Sequence, residues 1–325
     1  MMDITTIEAA AARIQGHAVR TPLLNAPLLD QKLGRRVFVK AECLQKTGSF
    51  KYRGARSALS ALDDAQRARG VVAFSSGNHA QGVACAAGEL GMPATIVMPS
   101  DAPALKIGNT RAYGAEVILY DRVTEDRDAI GAQLAEERGL TLIKPFDNEM
   151  VMAGQGTTGL EIAEQAAEAG VSEAEVLVCC GGGGLTSGIA VALADRAPAY
   201  QVRPVEPEGF DDVARSLAAG ARQTNNRMGG SICDAILTSA PGALTFPHLK
   251  AHCGPGLVVT DDDALRAMAV AMTHFKLTLE PGGAVALAAA LFHTEGDGDL
   301  IVVASGGNVD PPMLARAMTL TEGDA

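Results

Sequence analysis

Residues 47–55 read Thr-Gly-Ser-Phe-Lys-Tyr-Arg-Gly-Ala, and residues 74–82 read Phe-Ser-Ser-Gly-Asn-His-Ala-Gln-Gly. In the first stretch Lys51 follows a turn of small residues, a place from which an amine can form an imine with an aldehyde cofactor. In the second, Ser75, Ser76, Gly77 and Asn78 close an apolar run and offer backbone N–H groups to a carboxylate. Asn78 also suits a helix cap, and both roles can hold at once. His79 fits bracing of this loop better than chemistry. A third stretch, Cys179-Cys180-Gly181-Gly182-Gly183-Gly184-Leu185, lies between an apolar run at 176–178 and a helical pattern over 186–194. Glycines let the backbone wrap an anion, and the helix N-terminus adds a partial positive charge, so this reads as a phosphate cradle. A dinucleotide turn is the competing reading. The spacing is not GxGxxG, however, and no convincing acid follows a later strand.

Short apolar runs at 37–40, 71–74, 94–98, 117–120, 142–143, 176–178 and 301–304 read as buried strands. Helical patterns fall between them, over 78–90 and over 125–138, the latter laced with charge. Thr260-Asp261-Asp262-Asp263 opens a long helix expected to end near Lys276. Strands alternating with helices predict an α/β chain of parallel sheets covered by helices.

Composition narrows the function classes. At 325 residues and 47% hydrophobic content the chain can form two lobes or one large α/β unit. A net charge of −11 argues against a nucleic-acid or anionic membrane partner, which would need a basic patch. No apolar run approaches a membrane span, and the N-terminus lacks the basic-then-apolar pattern of an export signal. The six cysteines are scattered without a CxxC pair, which favours reduced thiols in a cytoplasmic protein over disulfides or zinc.

In order, spacing and context, SFKxRGA at 49–55 and SSGNHxQ at 75–81 resemble the serine/threonine dehydratase branch of the fold-type II pyridoxal phosphate enzymes. The resemblance runs from Arg20-Thr21-Pro22 to Ser305-Gly306-Gly307-Asn308. It implies a two-domain, tryptophan synthase β-like fold, with a small domain at 47–147 inserted in a large cofactor-binding domain formed by 1–46 plus 148–325. It further implies pyridoxal 5'-phosphate on Lys51, next to Phe50, with its phosphate at residues 181–185. Asn78 would meet the ring's phenolic oxygen and Ser305 its pyridine nitrogen. A neutral hydroxyl there, in place of a carboxylate, weakens the electron sink and favours prompt β-elimination over transamination. Ser75, Ser76, Gly77, Asn78 and His79 would form the substrate loop, with Ser76 in the position of the acid/base serine of serine racemases. Glu280, in Glu280-Pro281-Gly282-Gly283-Ala284, would support the cleft.

The activity implied is loss of water from threonine or serine, giving a 2-oxo acid and ammonia. A 3-hydroxyaspartate dehydratase or a serine racemase is the nearest alternative, and a non-catalytic ligand-binding protein is the alternative from another class. Arg127 could meet a distal carboxylate, although its charged helix also suits a solvated arginine. Glu206, the Phe210 carbonyl and Asp212 match the spacing of a divalent-cation site for Mg²⁺, Ca²⁺ or Mn²⁺, and match an acidic surface turn equally well. Relatives commonly carry Gly where Ala235 stands, and racemases tend to have Asn in place of Phe146. The sequence ends about one helix after Asn308, so an isoleucine-binding domain is not expected, and a catabolic homodimer acting on a small amino acid is the expectation.

Overall fold

Val71–Phe74 and Ala94–Pro99 are buried along their whole length, as strands are when both faces of a sheet are covered. In the computed structural model, which describes residues 2–75, 77–102, 104–121, 123–227 and 229–320, the strands form two sheets. They are β1 (Leu23–Asn25), β2 (Val37–Lys40), β3 (Val71–Phe74), β4 (Ala94–Pro99), β5 (Glu116–Tyr120), β6 (Thr141–Leu142), β7 (Ala174–Cys179), β8 (Tyr200–Pro207), β9 (Leu257–Val259) and β10 (Leu300–Val303). The larger sheet runs β1-β2-β10-β7-β8-β9 and the smaller β5-β4-β3-β6. Neighbours are parallel, with Leu300 opposite Glu175 and Val71 opposite Ala94. The exception to the all-parallel expectation is β1, which pairs antiparallel with β2 at one edge.

Each sheet has its own apolar core. Val176, Leu177, Ile301 and Val302 anchor the larger one against Ile189, Leu193 and Leu287. Val71, Ala73 and Ile96 anchor the smaller against Val83, Ala84 and Ala87. The strand β8 carries Pro204 and Pro207 yet sits between β7 and β9. Proline donates no ladder hydrogen bond and ordinarily argues against an inner strand, which is why this segment does not read as one. The helix opened by Thr260 also differs from expectation. Its regular part is Asp261–Val270, and a single π-helical turn, Ala271–Phe275, brings it to Lys276 in the left-handed region (φ 60°). No helix among the described residues is long and apolar enough to cross a membrane.

The helix Lys51–Ser60 packs on Asn78–Glu89 and on Glu149–Glu168, and the latter runs from the smaller core at Val151 to the larger at Ile162 and Ala166. A buried charge network ties it to β2. Arg53 Nε lies 2.8 Å from Glu42 Oε2 and its Nη1 2.7 Å from Glu161 Oε1. Lys40 Nζ reaches Glu161 at 2.5 Å and donates to the Thr21 carbonyl at 2.6 Å. Removing one partner from such a set strands a buried charge, which costs about 3–5 kcal/mol.

Candidate active site

The carboxyl ends of β3, β7 and β10 open onto one cleft, the usual place for ligands in a parallel sheet. After β3 the chain turns at Ser75 and Gly77 and enters the helix at Asn78. After β7 it passes through Gly181, Gly182 and Gly183 into the helix Gly184–Arg196. After β10 it reaches Ser305. Lys51 approaches from the start of its own helix, and all of these groups line the cleft.

Lys51 is half-buried. Its Nζ donates to the Pro145 carbonyl at 3.0 Å and lies 5.0 Å from the Phe50 ring centroid. Burial lowers its pKa from 10.5 to about 8, so an appreciable share of the amine is unprotonated and nucleophilic near neutrality. His79 Nε2 is 2.9 Å from the Ile143 carbonyl, which can only accept, so that nitrogen carries the proton. Burial, with Lys51 nearby, lowers the His79 pKa to about 3 and keeps the ring neutral. Gly77 N–H donates to Ser75 Oγ at 3.1 Å. Ser76 lies outside the described residues. Ser305 Oγ accepts from Cys179 Sγ at 3.0 Å.

The glycine loop is closely covered. A Cβ on Gly182 would stand inside the Phe146 ring, and Gly183 is in the left-handed region at φ 90°. Leu185 is buried beneath the loop. The first amides of the helix Gly184–Arg196 have no intrahelical acceptor and give the loop a partial positive charge. Beside it, the fully buried Gln155 has neither amide atom in a hydrogen bond. Both line the cleft, so a polar guest is called for.

Lys106 and Arg127 also line the cleft, and both come from the half of the molecule built on the smaller sheet. Lys106 is buried, with Nζ 3.8 Å from Asp234 Oδ2. Arg127 is exposed, its guanidinium 5.5 Å from the Phe74 ring centroid. Its helix does face solvent, as the charge pattern suggests, but its first residue reaches the cleft. Lys106 and Gln155 carry no local sequence signal, since each sits within a helix with no neighbouring motif. Ala235 lines the cleft as well.

Glu206 and Asp212 are fully buried and stand apart from this cleft. The two Glu206 oxygens accept from Val213 N–H (2.9 Å) and Ala214 N–H (2.7 Å). Asp212 Oδ1 accepts from Asn225 at 2.5 Å, whereas Oδ2 is buried with no partner. Burial, reinforced by Asp212, raises the Glu206 pKa well above its usual range, and burial raises that of Asp212 to about 6. Phe210 is buried beside them. Among the described residues no cluster of three or more His, Cys, Asp or Glu is placed to hold a metal.

A lysine at a glycine-rich anion cradle, between two sheets of this topology, defines a class of enzyme that works with an anionic aldehyde. The chain belongs to the pyridoxal-phosphate-dependent enzyme family, whose model matches residues 14–306. It is 46% identical over 303 residues to an L-threo-3-hydroxyaspartate ammonia-lyase of a Pseudomonas species, covering 93% of each chain. Among solved structures it resembles a threonine deaminase from the organism abbreviated T.th. (44% identity, TM-score 0.89, 95% and 99% of the two chains). It also resembles maize serine racemase (38% identity, TM-score 0.91, 98% and 97%). The fold-type II expectation is thereby borne out. The residues present fit the cofactor: a half-buried amine of lowered pKa, a glycine loop with no room for a Cβ, and an unsatisfied buried amide beside it.

Proposed function

We propose that this chain removes water from a 3-hydroxy amino acid bearing a second carboxylate, with 3-hydroxyaspartate the fitting case. The observation that carries the reading is the pair of cations, Lys106 and Arg127, lining the same cleft as Ser75, Gly77, Asn78 and His79, the loop expected to hold the first carboxylate. Threonine and serine bring no second anion and fit less well. The Pseudomonas relative of that name supports the same choice. Racemization is the weaker reading, because Phe146 closes on the glycine loop where racemases tend to have Asn.

Bound pyridoxal phosphate supplies an electrophilic carbon and an electron sink. The amides of residues 181–185 and their helix N-terminus would hold the phosphate. Asn78 would donate to the ring oxygen, and the Ser305 hydroxyl would face the ring nitrogen. Gly77, Asn78 and the loop around Ser75 and Ser76, braced by His79, would orient the substrate carboxylate. The Lys51 amine, when free, would take the Cα proton at Nζ, and its depressed pKa suits a base working near neutrality. Loss of that proton and of the Cβ hydroxyl as water leaves an enamine, which tautomerises and hydrolyses to a 2-oxo acid and ammonia.

The same reading gives Glu206, the Phe210 carbonyl and Asp212 to a divalent cation, Mg²⁺, Ca²⁺ or Mn²⁺. The unpartnered Asp212 oxygen and two buried carboxyls of raised pKa support this, since a hard cation would neutralise both. It also includes an inserted unit at 47–147, because the smaller sheet draws all its strands from between Val71 and Leu142. A cytoplasmic homodimer completes it, and sedimentation velocity tests the dimer.

The deciding experiment incubates the protein and pyridoxal phosphate with 3-hydroxyaspartate, threonine and serine, and follows 2-oxo acid and ammonia. We expect kcat/KM for 3-hydroxyaspartate to exceed the others by about tenfold or more, the worth of one charge-assisted contact. Preference for threonine or serine would refute the dicarboxylate reading, and silence on all three would refute the lyase.

A further inference from the structure

Glu280 and Asn308 both touch Asn78, and the elimination chemistry above uses neither. The polarity of these contacts follows from one backbone atom. The Thr47 carbonyl can only accept, so the Asn308 side-chain atom 2.8 Å from it is the amide nitrogen. That nitrogen also lies 2.8 Å from the Asn78 side chain, so the Asn78 atom facing it is the oxygen, Oδ1. Asn78 Nδ2 must then point the other way, where it donates to Glu280 Oε1 at 2.5 Å. The ambiguity that normally attends a carboxamide is removed at both asparagines. Nδ2 has two hydrogens. One goes to Glu280, which leaves one for a partner in the cleft that Asn78 lines.

The surroundings hold this arrangement in place. Glu280 is 2% exposed, and its backbone N–H donates to the Gly306 carbonyl at 3.1 Å. A Cβ on Gly306 would collide with Glu280 Oε1, so the glycine makes room for the carboxyl. Lys106 and Lys51 favour the ionised form of Glu280, and Asp234 opposes it. Among the described residues the thiols of Cys43 and Cys179 also feel its charge. Burial raises the Glu280 pKa to about 7, yet an acceptor oxygen remains in either protonation state. Asn78 sits on the helix Asn78–Glu89 against the smaller sheet, whereas Glu280 and Asn308 flank β10 of the larger one.

We propose that Glu280 and Asn308 are positioning residues that lock the carboxamide of Asn78 and reserve one of its N–H groups for the oxygen on the cofactor ring. The inference rests on the reading above only in placing that ring oxygen at Asn78. Its test is cofactor binding, with no turnover involved. Apo-protein is titrated with pyridoxal phosphate, following visible absorbance, for the wild type and for Glu280→Ala, Glu280→Gln and Asn308→Asp. Glutamine can still present a carbonyl to Asn78, so Glu280→Gln should bind within about threefold of wild type. Glu280→Ala should bind about tenfold more weakly, the worth of one hydrogen bond. Asn308→Asp offers Asn78 an acceptor in place of a donor and should turn the carboxamide over, with a similar loss and a displaced absorbance maximum. Asn308→Asp binding like wild type, or Glu280→Gln as weak as Glu280→Ala, overturns the inference. If Asn308→Asp does not fold, the Glu280 pair decides alone. A wild-type chain without affinity for pyridoxal phosphate would overturn the functional reading and this inference together.

Discussion

Replacing Lys106 by Met keeps most of the side chain's length and deletes its charge. In water two unit charges about 4 Å apart attract by about 1 kcal/mol, and near a protein surface by about 4 kcal/mol. Lys106 is buried and belongs to the second case, but it is already 3.8 Å from Asp234 and a substrate anion must shed water to reach it. The net loss for a dicarboxylate should therefore be about 2–3 kcal/mol, a drop of about 30- to 150-fold in kcat/KM. Arg127 is exposed, so Arg127→Met should cost about 1 kcal/mol, about fivefold. Lys106 also acts on Glu280, so part of its effect will fall on every substrate. The readout is accordingly the ratio of kcat/KM for 3-hydroxyaspartate to that for threonine, measured on each variant. The ratio should collapse in Lys106→Met and fall modestly in Arg127→Met. An equal loss on both substrates would show that these cations serve the fold or the cofactor and do not read the second carboxylate.

Three further outcomes are expected. Gly182→Ala forces a methyl into the Phe146 ring, so overpacking should cost about 1–3 kcal/mol; thermal unfolding and cofactor titration should both register it, and unchanged affinity would mean the loop is not the cradle. Because only the neutral amine attacks an aldehyde, cofactor loading of apo-protein should accelerate about tenfold per pH unit below the Lys51 value of about 8 and level off above it. With the folded value below 10.5, the apo-protein should also gain stability as pH rises between about 8 and 10.5; a pH-independent loading rate would contradict the assignment. Finally, a cation at 100 times its dissociation constant should stabilise the fold by about 2.7 kcal/mol, seen as a raised Tm. Asp212→Asn should abolish that gain, and indifference of the wild type to Mg²⁺, Ca²⁺ and Mn²⁺ alike would remove the site.

The parts of this protein that can be read from its sequence are those where chemistry and local structure coincide. A strand, a glycine or serine turn and a helix start are contiguous in the chain, so the loops at Ser75, Gly181 and Ser305 announce their conformation and their place at one cleft. Lys106, Gln155 and the Asn78–Glu280–Asn308 chain are assembled by tertiary packing. A lysine within Ala104–Ala112 looks like any surface lysine until the helix is laid against the cleft. Gln155 lies within the long helix Glu149–Glu168, and only the missing hydrogen bonds mark it out. Local grammar also misleads at β8, where Pro204 and Pro207 argue against the strand that tertiary context imposes. Past Val270, a π turn takes the place of the regular helix the pattern implies.

Cys179 and Lys51 both line the cleft, and a thiol near the aldehyde of the proposed cofactor would be open to adduct formation. Burial acts on the two nucleophiles in opposite senses, since it disfavours whichever form is charged. It lowers the lysine to about 8, enriching the amine that attacks. It raises the thiol to about 11, leaving about one molecule in ten thousand as thiolate at neutral pH. On the proposed assignment, the same burial would favour Lys51 as the nucleophile and keep the neighbouring thiol protonated.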